Sequence, residues 1–228
     1  MKNEKTGRII IVLAGLAVIA GAIFLWHLYF GVANTQDFIR AYQTYAVVSQ
    51  EYKVSAYTPG AEKNTVRQEL NTILAQVLDE KISSKNRLSF AESGLIPLAE
   101  IRGEIDAIKE KGKVTDRAIL LLREKAGDLG GLRVSNKAAE VITIAEERTD
   151  IIREIETVSY RMNDTISDIF KGIIQDKGEL TQKRIRSLNE KIPAAEKDFE
   201  RLSEQYRALE KISQKIDAAF VEFQNFSV

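Results

Sequence analysis

The run from Ile9 to Phe30, IIIVLAGLAVIAGAIFLWHLYF, restricts this chain more than any other feature. At a rise of about 1.5 Å per helical residue, its roughly 22 residues span about 33 Å, enough to cross the roughly 30 Å hydrocarbon core of a bilayer. A buried helix of a soluble domain is rarely apolar on every face over such a length. A secretory signal is the alternative, but its apolar region is shorter, about 7 to 15 residues. Ala20-Gly21-Ala22 has the small-x-small form of a cleavage site, yet a cut there would leave IFLWHLYF as an exposed apolar start. The run therefore predicts a retained transmembrane helix over 9–30, preceded by a short basic segment, 1–8.

Lys2, Lys5 and Arg8 precede the span, and Arg40 is the only basic residue in the twenty that follow it. Basic flanks stay on the cytoplasmic side, so the rest of the chain is predicted outside the cytoplasm. Ile9 opens the anchor, and Trp26, Tyr29 and Phe30 close it, aromatic bodies suiting the outer interface. His27, the only histidine, falls in the last turn, where it reaches water. Ala14, Ala17 and Gly21 share a face, and small residues four apart permit close helix packing within a membrane.

Residues 34–228 read as all-α. Proline occurs only at 59, 97 and 193, and no segment alternates apolar and polar residues as a half-buried strand does. Three parts follow from the punctuation. A helical pair over 34–91 begins after an N-cap at Asn34, breaks at Pro59-Gly60 and continues from about Glu62 to Phe90. The four tyrosines between Tyr42 and Tyr57 read as half-buried, with wet hydroxyls. In 92–134, Gly94, Pro97, Gly103, Gly112, Gly127, Gly130 and Gly131 predict two short helices, Leu98 to Lys111 and Asp116 to Lys125, the second capped by Thr115.

A long helical hairpin then occupies 135–226. Its first arm, capped by Ser135, carries a broad apolar stripe from Val141 to Ile173, interrupted by Arg148 and Ser159. After the turn at Asp176-Lys177-Gly178, the second arm shows a 4-3 repeat with seam residues Ile192, Phe199, Leu202, Tyr206, Leu209, Ile216, Phe220 and Phe223, and a polar entry at Ser213. Pro193 lies inside this arm and predicts a kink or a fresh start. The fold class is thus an N-terminal transmembrane helix followed by an elongated helical bundle containing a long antiparallel coiled-coil hairpin.

Chemistry is sparse. Without cysteine, and with one histidine in the apolar run, thiolate nucleophiles, most zinc sites and a Glu-x-x-His di-iron site have no ligands to use. GDLGGL at 127–132 lacks the lysine of a phosphate-binding loop and reads as a turn. Glu146, Glu147, Asp150, Glu154 and Glu156 are interleaved with Arg148 and Arg153, so they read as a solvated face and no metal is assigned. Thirty-three basic residues balance 33 acidic ones without a patch of either sign, so nucleic acid is not expected as a partner. The chain end, Phe226-Ser227-Val228, has the form of a docking carboxylate, with Phe226 and Val228 as its side chains.

The expectation is a membrane-anchored, non-enzymatic helical scaffold or interaction protein of the cell envelope. It would act through its bundle and coiled-coil surfaces on other envelope proteins or on a second copy of itself, with no catalytic residue and no cofactor. The alternative is an extracytoplasmic helical bundle that senses a ligand and signals through a partner membrane protein.

Overall fold

The computed structural model describes residues 32–52 and 61–226, together with Gly21, and within these it is helices and turns. Helix α1 covers 32–52, α2 Ala61–Leu78, α3 Ser84–Gly127, α4 Leu132–Gln175 and α5 Gln182–Phe226. The last three have 44, 44 and 45 residues, so each is about 66 Å long. Among the described residues no helix is long and apolar enough to cross a membrane. The predicted anchor, with Ile9, Ala14, Ala17, Trp26, Tyr29 and Phe30, lies outside them. Gly21 alone is described there, helical and exposed.

The long helices pack in alternating directions, joined by short turns. α1 starts beside the α3–α4 turn, where Asn34 Nδ2 donates to the Asp128 carbonyl at 2.5 Å. It buries Phe38, Tyr42 and Tyr45 against Leu122 of α3, Val141 of α4 and Phe223 of α5. α2 buries Leu70, Ile73 and Val77 against Leu98, Phe170 and Leu188 at the opposite end. Between them lies a middle core of Tyr52, Ile108, Ile155, Val158, Leu202 and Leu209. The fold is an up-down-up-down four-helix bundle in which α1 and α2 lie along the first arm.

Local sequence explains where the helices stop. Ser83 caps α3, its Oγ accepting from the Asn86 amide at 3.3 Å, and Thr181 does the same for Arg184 at 3.2 Å ahead of α5. α4 ends through Lys177 and Gly178, both left-handed with φ 53° and 79°. The Gly178 amide returns to the Ile173 carbonyl at 2.9 Å, closing the orphan carbonyls of the last turn. A Cβ on Gly178 would sit 1.9 Å from the Ser84 carbonyl oxygen, so this turn also wedges against the start of α3.

Several boundaries differ from the sequence expectation. The helix predicted over 62–90 stops at Leu78, and α3 restarts at Ser84. The two short helices predicted within 92–134 are one continuous helix through Gly94, Pro97, Gly103 and Gly112. The reason is packing: a Cβ at Gly94 would meet the Phe170 ring at 2.3 Å, and one at Gly112 would meet Tyr52 Oη at 2.8 Å. These glycines admit neighbouring side chains and do not end the helix. Thr115 is buried mid-helix, donating to the Lys111 carbonyl. Asn34 lies inside α1, and Ser135 lies inside α4, which begins at Leu132 after Gly131. Pro193 is exposed, and α5 runs through it without a break.

Candidate functional site

Two residues that interrupt apolar stripes in the sequence meet in the structure. Arg148 of α4 is 4% exposed. Its Nε donates to Ser213 Oγ of α5 at 3.3 Å, Nη1 to Ser49 Oγ of α1 at 2.5 Å, and Nη2 to the Ser49 carbonyl at 3.3 Å. One guanidinium thus ties three helices in a single layer. A cavity of about 290 Å³ adjoins it, lined by Tyr42, Gln50, Arg148, Ser213 and Asp217 among others. Burial raises the Tyr42 hydroxyl pKa, and the nearby Asp217 charge adds to the shift.

A second polar layer falls where the heptad reading placed Phe199. Asp198 is 6% exposed and accepts both arms of Arg161, at 2.7 and 2.5 Å. Phe199 is 64% exposed. The correction has a plain cause. The inward face of α5 runs through Asp198, Ile212 and Ala219, one residue before Phe199, Ser213 and Phe220, and the Arg161 guanidinium satisfies the Asp198 carboxylate this buries. Leu202, Leu209, Ile216 and Phe223 are buried as seam residues, while Ile192, Tyr206 and Phe220 are half-buried. Phe220 stacks on Tyr42 with centroids 3.6 Å apart. At Ser213 the seam shifts to Ile212, which is 2% exposed.

A second cavity, also about 290 Å³, opens on the side of the middle core. Ile105, Ile108, Ile155, Met162 and Leu202 supply apolar walls, and Glu156 lies on the rim. Burial raises the Glu156 carboxyl pKa, opposed by Lys109 and Arg153. The tyrosines are more deeply placed than expected. Tyr45 donates to the Ala145 carbonyl at 3.3 Å, and Tyr52, fully buried, has a hydroxyl with no hydrogen-bond partner among the described residues. The acidic face of α4 is tied into ion pairs, Arg123 with Glu146, Arg153 with Asp150, and Arg201 with Glu154. Among the described residues no group of three or more His, Cys, Asp or Glu is arranged to hold a metal.

Phe226 ends α5 half in solvent, 53% exposed, with Lys137 Nζ 5.9 Å from its ring centroid; Val228 lies outside the described residues. The sequence flagged Arg148 and Ser213 singly but gave no sign that they pair, and Ser49 carried no signal at all. Asp198 was legible only as the residue next to a heptad position. Compared with protein-family models, curated proteins and solved structures, the chain matches none.

Proposed function

We propose that this chain is a membrane-anchored, non-enzymatic scaffold of the cell envelope, a helical post that presents its sides to other envelope proteins or to a second copy of itself. The observation that carries the reading is the polarity of the bundle. The first described residues of α1, two positions beyond the apolar run, pack into one end of three parallel-axis helices. An anchor over 9–30 would hold the α3–α4 turn and the end of α5 near the bilayer and carry the turns at 79–83 and 176–181 about 66 Å away. Polar layers at Arg148 and Asp198 suit such a post, since buried polar contacts fix the register of long helices that could otherwise slide.

The test is fractionation of the full chain in cells, followed by protease added from outside and by crosslinking in intact cells. The reading expects the chain in the alkali-washed membrane fraction, its bundle digested from outside, and crosslinks from the bundle sides to envelope proteins or to itself. A soluble chain, or a bundle protected in intact cells, would overturn it.

The sensing alternative draws support from the lateral cavity beside Ile105 and Ile155. Its size and apolar walls suit a small hydrophobic molecule. Native mass spectrometry of the purified chain decides this reading: a bound small molecule, lost on substituting Ile105→Trp in the cavity wall, would favour it over the scaffold.

A further inference from the structure

The end of the bundle where α1 enters exposes more apolar surface than its packing requires. Leu132, the first residue of α4, is 82% exposed, Val32 is 56% exposed and Phe226 is 53% exposed. The three belong to one end of the molecule. Val32 lies two residues before Asn34, which holds the Asp128 carbonyl of the α3–α4 turn. Leu132 follows that turn, and Phe226 reaches Lys137, one and a half turns further into α4. Arg133, beside Leu132, is exposed as well.

We propose that this end of the bundle seats on the lipid bilayer, with Leu132 and Phe226 dipping into the interface and Arg133 at the headgroup phosphates. The inference rests on the reading of 9–30 as an anchor. Chain geometry supplies the occupant. Two peptide units separate Phe30 from Val32, and an extended chain gains at most about 3.6 Å per residue. Val32 therefore stands within about 7 Å of the end of the span, too close for a layer of another protein between the bundle and the headgroups. At that distance an exposed leucine and phenylalanine gain by leaving water for the acyl boundary, and a neighbouring arginine suits the phosphate level. The opposite end is less apolar: its turns carry Asp79, Glu80, Lys81, Lys177 and Glu179, and Ile185 in the first turn of α5 is 44% exposed.

Because the chain has no cysteine, single labels can be placed cleanly. The full chain is reconstituted in vesicles of equal parts phosphatidylcholine and phosphatidylglycerol. An environment-sensitive fluorophore is attached in turn at Leu132→Cys, Phe226→Cys, Lys81→Cys and Leu16→Cys, and quenching is measured with lipids brominated along the acyl chain. The proposal expects strong quenching at 16, clear quenching and a blue shift at 132 and 226, and neither at 81. Quenching at 16 with 132 and 226 as unaffected as 81 would leave the anchor standing and overturn the seating. A blue shift at 132 without lipid quenching would assign the patch to a protein partner and also overturn it. A chain that fails to float with the vesicles would overturn the anchor and the seating together. Circular dichroism of each labelled variant confirms that the helices are retained, and Leu132→Glu, a surface change, should lower the quenching at 226 severalfold while leaving the label at 16 unchanged.

Discussion

Arg87 and Arg148 are both 4% exposed, yet they hold the two ends of the bundle in different ways. At the far end, Arg87 donates to three backbone carbonyls: Val77 at 3.0 Å, Asp79 at 2.8 Å and Gly178 at 3.0 Å. Two of these close α2 and its turn, and the third belongs to the α4–α5 turn, so one side chain joins two turns; of the three oxygens, that of Asp79 also accepts from the Ile82 amide at 3.2 Å. In the near half, Arg148 bonds mainly to serine hydroxyls. Each serine also donates to its own helix, Ser49 to the Ala46 carbonyl at 3.2 Å and Ser213 to the Leu209 carbonyl at 2.6 Å. A buried cation is costly to orphan when its partners are fixed carbonyls, and cheap to replace when its partners can turn elsewhere.

The largest effect expected from this contrast is at Arg87. Arg87→Met should cost about 3 to 5 kcal/mol, because the buried Val77 and Gly178 carbonyls and the part-buried Asp79 carbonyl lose a charged donor at once. Urea unfolding of the full chain in detergent, followed by circular dichroism, measures it. Gly178→Ala should cost about 2 kcal/mol or more in the same assay, since the left-handed backbone and the Ser84 carbonyl both resist a Cβ. By contrast, Arg148→Met should change stability by no more than about 1.5 kcal/mol in either direction, the apolar stem replacing the packing and the serines keeping their local bonds. A loss at Arg148 equal to that at Arg87 would break the comparison.

Tyr52 sharpens it from the other side. Its hydroxyl is buried with no partner among the described residues, so Tyr52→Phe is expected to stabilise the chain by about 1 kcal/mol. The smallest effect is one of pH. Burial holds the Glu156 carboxyl above the ordinary carboxylate range, so the native chain binds that proton more tightly than the unfolded one. Its contribution therefore improves as pH falls through the raised pKa. Glu156→Gln should be slightly more stable than the parent at neutral pH, and the advantage should shrink on acidification. Asp176 has the opposite sign: its bond to Arg184 holds it below the ordinary range, and the stability it adds above the unfolded pKa is lost as pH falls through the folded one. Thermal melts of Glu156→Gln and Asp176→Asn across the acid range should diverge accordingly.

The last two helices were legible because their apolar spacing persists for many turns and a Lys-Gly pair marks the return. α3 was not, because glycine and proline have two meanings. At Gly178 the residue serves a backbone angle, as expected of punctuation, whereas at Gly94 and Gly112 it makes room for Phe170 and Tyr52, residues 76 and 60 positions away. A local pattern cannot distinguish these uses. The same limit hid the polar layers: Arg148 and Ser213 each look like a blemish in one helix, and only the antiparallel register makes them partners. Phe199 was misplaced for a related reason, since an aromatic is the natural heptad choice, whereas the inward face of α5 runs through Asp198, Ile212 and Ala219, one residue before 199, 213 and 220.

The packing of α1 sets how the bundle would carry a mechanical load. A pull applied at residue 32 and resisted at the far turns loads the side chains through which α1 grips its neighbours. The tension must pass sideways into α3, α4 and α5 through Phe38, Tyr42, Tyr45 and Tyr52, all buried in their contact face. Since α1 lies alongside those helices, the pull shears all four side chains together and does not peel them off one by one, so yielding should be abrupt.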